Sequence, residues 1–232
     1  MPTPVLAVIF DLDGVIIDSN PEIVKFWHLW AAKSGIALTS DNIVQHIYGR
    51  KGTETIDALF SHVTNKVKKQ IIEEAIAFDS NMNPSLIKGV YEFIQLLLQK
   101  NIPIGLVTSS YKKRAVAMLE KQNLGTCIQM YVTAEDVSKG KPDPAPYLVM
   151  AAKLNIPPQS CLVFEDAISG VISATSAGMH VIGIGDGEAK VELTKYGAEE
   201  VISDFTELGC LDNFVITKTN SKQYQLVESG TK

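Results

Sequence analysis

Short apolar runs alternate along the chain with stretches of helical period. "VLAVIF" (5–10), "IPIGLV" (102–107), "CLVF" (161–164) and "HVIGI" (180–184) are apolar on both alternating faces, as strands covered on two sides must be. "MYVT" (130–133) and "EVI" (200–202) are weaker examples of the same kind. Between them, "GVYEFIQLLLQKN" sets Val90, Phe93, Ile94, Leu97 and Leu98 at helical spacing, and "RAVAMLEKQN" and "PAPYLVMAAKLN" repeat the habit. This β/α alternation predicts a parallel sheet with helices on both faces.

The rhythm breaks once. From about residue 16 to 82 no strand pattern occurs, and "PEIVKFWHLWAAKSG", "SDNIVQHIYG", "TETIDALFSHV" and "NKVKKQIIEEAIAF" all read as helices. The chain therefore divides into an α/β core (1–15 and 83–215), an inserted all-helical cap domain (16–82) and a polar C-terminal tail (216–232) expected to fray. The connections "GVIIDS" and "SNMNPSL" are expected to act as linkers and to allow hinged movement.

Composition changes this picture little but narrows the ligands. Hydrophobic residues make up 46% of the 232, enough for a sizeable core, and a net charge of −5 argues against nonspecific capture of nucleic acid or an anionic membrane. Any phosphate site must then be a local pocket, so the expected partner is a small-molecule phosphate ester, with no nucleic acid, no membrane, and a monomer or weak homodimer. Cys127, Cys161 and Cys210 are widely spread and lack metal-ligand spacing, which suggests buried thiols in a reducing compartment. The first apolar run is stopped by Asp11, too early for a signal peptide or a membrane span. A cytoplasmic location is the expectation.

In a Rossmann-like sheet, ligands bind beyond the carboxyl ends of the strands, so the first polar residues after each strand are the informative ones. Here they are Asp11 and Asp13, then Thr108 and Ser109, then Lys141 beyond the fourth run, then Glu165 and Asp166. Strand period puts Asp11 and Asp13 on one side with Leu12 turned to apolar packing, and Gly14 permits a sharp turn directly after. No arginine stands beside these carboxylates in the sequence, so their mutual repulsion calls for a hard divalent cation. Oxygen ligands without a histidine cluster favour Mg²⁺.

Taken in order, "DLDGVIIDS", "LVTSS", "KGKPDP" and "VFEDAISGVISATSAGM" closely resemble the motifs of the haloacid dehalogenase superfamily, in its β-phosphoglucomutase-like subgroup with a helical cap. The likeness runs from residue 5 to about 205. It implies a phosphatase in which Asp11 is the nucleophile and forms an aspartyl-phosphate, while Asp13 serves as general acid and base. It implies Mg²⁺ on the Asp11 carboxylate, the Asp13 backbone carbonyl and Asp166, with Glu165 a ligand directly or through water. Thr108, the amide of Ser109 and Lys141 would hold the phosphoryl oxygens.

Each of these residues also has a plain reading: a solvated turn for Asp11 and Asp13, a helix cap for Thr108 and Ser109 or for Glu165 and Asp166, a surface ion pair for Lys141. The four motifs in order outweigh those readings. Phe26, Trp27 and Trp30 are expected to be core packing in the cap. In the cap loop "IYGRKGTET" (47–55), Arg50 and Lys51 are the candidates for substrate specificity, reaching to a sugar hydroxyl or a second phosphate. β-Phosphoglucomutase is the alternative activity, but the positions where that enzyme has a histidine, a lysine and an arginine in the cap hold Ile23, Tyr48 and Gly52 here. A phosphoacceptor signalling module is the least favoured reading, because the DxD spacing and the large insertion have no purpose in it.

Overall fold

The computed structural model describes residues 3–211, 214–217 and 222–227. Strands β1 (Thr3–Val5) and β2 (Ala7–Phe10) open the chain, followed by helices α1 (Asn20–Lys33), α2 (Ser40–His46), α3 (Gly52–Leu59) and α4 (Asn65–Asn81). Then come α5 (Val90–Gln99), β3 (Ile104–Val107), α6 (Lys112–Lys121), β4 (Met130–Val132), α7 (Ala145–Leu154), β5 (Cys161–Glu165), α8 (Ile168–Ser176), β6 (His180–Ile184), α9 (Gly187–Lys195) and β7 (Glu200–Ile202). Strands β8 (Leu208–Leu211), β9 (Phe214–Thr217) and β10 (Gln223–Leu226) close the described chain.

The main sheet has the order β4-β3-β2-β5-β6-β7, parallel throughout. All four residues of β2 are fully buried and divide by strand period. Val8 and Phe10 face a core with α5 and α6 residues such as Phe93 and Met118; Ala7 and Ile9 face a second core with Tyr147 of α7 and Val171 of α8. Stacked rings of Phe10 and Phe164, 5.4 Å between centroids, tie the two central strands together. From β2 the chain builds outward on one side through β3 and β4, then crosses to the other side through β5, β6 and β7. The switch point lies between β2 and β5, and the crevice beyond their carboxyl ends is where such sheets bind ligands.

Helices α1 to α4 carry an apolar cluster of their own, built on Phe26, Trp27, Trp30, Phe60 and Ile71. The three aromatics of α1 are thus core packing, and Trp27 meets Phe60 with the rings tilted at 38° and 5.8 Å between centroids. The two connections to the cap are not loose. Asp18 donates its amide to the Ser85 carbonyl at 2.8 Å, Ile87 to that of Ile16 at 2.9 Å, and Val15, Ile16 and Ile17 are fully buried.

Two expectations are corrected at the chain's ends. The first apolar run is not one strand: it breaks at Leu6, and β1 pairs in parallel with β10 in a second sheet of order β1-β10-β9-β8. The tail expected to fray supplies that partner, because Tyr224 and Leu226 alternate with glutamines and are buried in the first core. Residues 218–221 and 228–232 of the tail lie outside the described residues. Cys127 and Cys161 are free thiols, half-buried and buried, while the Cys210 side chain lies outside those described.

Candidate active site

Four strand ends meet at the crevice. Asp11 follows β2 and is buried, and the Lys141 ammonium, equally buried, donates to its Oδ1 at 2.6 Å. Lys141 also donates to the Val107 carbonyl at 3.1 Å and to Glu165 Oε1. The Tyr147 hydroxyl donates to the same Glu165 oxygen at 2.6 Å. Lysine, nucleophile candidate and Glu165 are therefore locked into one buried network rather than a surface ion pair. The bystander role fits Lys139, an exposed side chain 3.8 Å from Asp143.

Thr108 and Ser109 do not cap α6. The Thr108 amide donates to the Val132 carbonyl at 2.9 Å, its Oγ1 accepts from the Ser110 amide at 3.1 Å, and the Ser109 hydroxyl donates to the Gly49 carbonyl of the cap loop at 2.7 Å. Nor do Glu165 and Asp166 cap α8, whose N-cap residue is Ala167.

Among the described residues, Asp11, Glu165 and Asp166 form the cluster able to hold a metal, with one carboxylate oxygen from each lying within 4.8 Å of the others. Electrostatics shows what this cluster needs. Burial, helped by the charges of Glu165 and Asp13, pushes the Asp11 carboxyl up to about 7 against the pull of Lys141. Burial lifts Asp166 well above the usual carboxylate range, and the charges of Asp11 and Glu165 add to it. One ammonium thus faces three carboxylates and does not balance them. A divalent cation fits this set of hard oxygen donors and the charge they leave uncompensated.

Asp166 is held from the cap side. The Asn20 amide at the start of α1 donates to its Oδ2 at 2.6 Å, a contact that sequence reasoning missed. Gly14, with φ +75°, is the turn that allows it: a Cβ there would lie 2.0 Å from Asp166 Oδ2 and 2.5 Å from Asn20 Nδ2. The turn needs both the left-handed backbone and the missing side chain.

Asp13 corrects a further expectation. Its carboxylate does have an arginine: Arg114 of α6 forks onto it, Nη2 to Oδ1 at 2.7 Å and Nη1 to Oδ2 at 2.8 Å. Ser19 donates to Oδ1 at 2.5 Å and Ser110 to Oδ2 at 3.3 Å. Burial would raise the Asp13 carboxyl, but the Arg114 charge and these hydrogen bonds outweigh it and hold it below its usual value. The metal-capable carboxylate cluster excludes the Asp13 side chain. Arg114 stands one helical turn after Ser110, so its signal was a basic residue four positions beyond a strand-end hydroxyl.

Arg50 and Lys51 of the cap loop reach the core instead of standing free. Arg50 Nη1 donates to the Lys141 carbonyl at 2.9 Å and pairs with Glu54 at 3.0 Å, while Lys51 Nζ donates to the carbonyls of Ala134 at 2.9 Å and Val137 at 3.0 Å. Between cap and core lies a cavity of about 160 Å³. Asp11, Asp13 and Thr108 form its floor, Ile23, Trp27, Ile56 and Phe78 an apolar wall, and Tyr48 and Arg50 part of its rim.

Residues 8–184 match the haloacid dehalogenase-like hydrolase family. Hexitol phosphatase A of Escherichia coli is 32% identical over 76% of this chain and 81% of its own. The β-phosphoglucomutase of Bacillus subtilis is 28% identical over 96% of this chain and 98% of its own. The crystal structure of a hydrolase from Pseudomonas syringae superimposes with a TM-score of 0.74 at 28% identity, over 86% of this chain and 94% of that one. With these matches, and a crevice of this make-up on a sheet of this order, the chain belongs to the haloacid dehalogenase-like hydrolase family, among its β-phosphoglucomutase-like members.

Proposed function

We propose that the protein is a Mg²⁺-dependent phosphatase that hydrolyses a small phosphorylated metabolite, a sugar or polyol phosphate, through an aspartyl-phosphate on Asp11. The observation that carries this reading is that Asp11, on the floor of the cavity, is held from behind by the buried Lys141, whose Nζ lies 2.6 Å from its Oδ1. It fixes one carboxylate oxygen and leaves the other for phosphorus. Asp11 forms the new O–P bond as the ester O–P bond breaks, and Asp13 supplies the proton that the departing alkoxide takes. A water then attacks phosphorus, Asp13 accepts its proton, and inorganic phosphate leaves as Asp11 is regenerated. The Arg114 charge and the hydrogen bonds favour the ionised form of Asp13, the form in which this second half begins. Lys141, Thr108 and the Ser109 amide hold the phosphoryl oxygens, whose charge spreads in a loose, in-line transition state. Asp11, Asp166 and the main-chain carbonyl of Asp13 would hold Mg²⁺, which would supply charge neutralisation at the phosphoryl group, while Glu165 orients Lys141.

The cavity supports a small alcohol. Its 160 Å³ is of the order of the ~150 Å³ cavity that accommodates benzene, room for roughly a six-membered ring or chain. Ile23, Tyr48 and Gly52, where a mutase would carry cations or a histidine, all line it. That favours hydrolysis over transfer to a second sugar hydroxyl.

The test is phosphate release from a panel of sugar and polyol phosphates, with Asp11→Asn and EDTA as controls. Release by the natural chain is expected, with loss to background in Asp11→Asn at an unchanged circular dichroism spectrum, and reversible loss in EDTA. Conversion of β-glucose 1-phosphate to glucose 6-phosphate with a bisphosphate primer, without phosphate release, would overturn the phosphatase reading in favour of the mutase.

A further inference from the structure

We infer that Arg114 is a positioning residue: its guanidinium fixes the plane of the Asp13 carboxylate, and Asp79 at the end of α4 fixes the guanidinium. The inference rests on the proposed phosphatase reading and extends it to residues outside the four motifs.

A carboxylate offers about four lone-pair sites. Those of Asp13 are all taken, Oδ1 by Arg114 Nη2 and Ser19, Oδ2 by Arg114 Nη1 and Ser110. For Asp13 to exchange a proton with an alcohol or a water, one donor must yield. The two Arg114 bonds cannot yield easily. The same guanidinium is tied through Nε to Asp79 Oδ1 at 3.0 Å, and its side chain is only 12% exposed. A seryl hydroxyl, by contrast, turns away by rotation about one bond, and the Ser110 contact at 3.3 Å is the longest of the four. Ser110 is therefore the donor that gives way, and Oδ2 is the oxygen that works.

Asp79 holds station because α6 is stitched to the exit of the cap. Lys121 Nζ donates to the carbonyls of Ser80 at 3.1 Å and Met82 at 2.7 Å, and Gln122 Nε2 to that of Pro84 at 2.7 Å. Along one helix, then, three side chains grip residues 79–84, and the first of them is the one that forks onto Asp13. The plain alternative is that Arg114 merely neutralises two buried carboxylates. A lysine would serve that purpose as well, but it cannot make the planar fork.

The experiment is steady-state kinetics of the natural chain, Arg114→Lys, Asp79→Leu and the double variant, on an ester the natural chain hydrolyses. Misplacing a proton-transfer group by about an ångström costs up to ~10² in rate. Arg114→Lys is expected to lower kcat about 10- to 100-fold with KM within about twofold, and Asp79→Leu to lower kcat by a smaller factor. The double variant is expected to match Arg114→Lys alone, since Asp79 acts through Arg114. Full kcat in Arg114→Lys, a change confined to KM, or multiplying effects in the double variant would overturn the inference. Should Arg114→Lys fail to fold, an unchanged kcat in Asp79→Leu overturns it by itself. A natural chain that releases phosphate from no ester defeats the phosphatase reading instead, so the two failures are distinct.

Discussion

At the scale of single residues, the site depends on one absent side chain as much as on its charged ones. Gly14 lets the chain turn at φ +75° while Asp166 Oδ2 and Asn20 Nδ2 occupy the space a Cβ would need. Gly14→Ala therefore acts in two ways. The left-handed backbone costs about 1–2 kcal/mol with a Cβ attached, and the methyl pushes Asp166 off its place. If Asp166 helps hold Mg²⁺, the second effect shows as a weaker metal requirement curve: the Mg²⁺ concentration for half-maximal phosphate release should rise at least about tenfold, as for changes next to metal ligands. Half-saturation unchanged in a folded Gly14→Ala protein would exclude Asp166 from the metal site. Gly49 follows the same logic at the cap loop, where a Cβ would sit 2.5 Å from the Ser169 hydroxyl.

At the scale of elements, the sheet was legible because its strands are buried on both faces and short apolar runs have few other uses. The runs at 102–107, 130–133, 161–164, 180–184 and 200–202 all give strands, within a residue or two of those bounds, and the four helical patterns of the insertion all form helices. Strand-end chemistry was legible for the same reason, since topology alone brings Asp11, Thr108, Lys141 and Asp166 to one rim. Arg114 and Asn20 escaped because they reach the rim from helices, where no sequence rule fixes which turn faces the crevice. β10 escaped because "QYQLV" lies within a polar tail, and its alternation gains meaning only beside β1. Its attachment carries a prediction. Glu199, just before β7, accepts from His180 Nδ1 at 2.7 Å, from the Tyr224 hydroxyl at 3.1 Å, and from Lys222. Burial would raise its carboxyl, but the bonds from His180 and Lys222 prevail and hold it at about 2. Because the folded value lies below the ordinary 4.5, the stabilisation is complete above about pH 4.5 and is lost as pH falls toward 2. Hydrogen exchange should show β10 losing protection across that window before β2 does. Glu199→Gln should weaken β10 at neutral pH by about 0.5–1 kcal/mol and flatten its acid dependence. An unchanged acid profile would mean that β10 is held by Tyr224 and Leu226 burial alone.

At the scale of the whole molecule, the cap is fastened to the core at two places with different chemistry. At the neck, Asp18 and Ile87 pair with Ser85 and Ile16 through the backbone, and α6 grips residues 79–84. At the far edge, the cap loop is held by side-chain bonds alone: Ser109 to Gly49, Ser169 to Tyr48, Arg50 to Lys141, and Lys51 to Ala134 and Val137. A neck of paired and buried backbone resists parting, whereas an edge held by side-chain bonds alone exchanges more readily with water, so movement that admits substrate should open at the loop and pivot about the neck. Lys51→Met tests this, since it keeps the apolar stem and removes two charge-assisted bonds that lie outside the lining of the cavity. Loss of about 1–3 kcal/mol from the shut arrangement lowers the fraction of molecules that hold substrate in it, and apparent affinity falls with that fraction. KM for the preferred ester should rise about tenfold, kcat should fall by less than about threefold, and residues 47–52 should exchange amide hydrogens faster while 15–18 and 85–87 do not change. Faster exchange at the neck instead would put the pivot at the loop and reverse the direction in which the cleft opens.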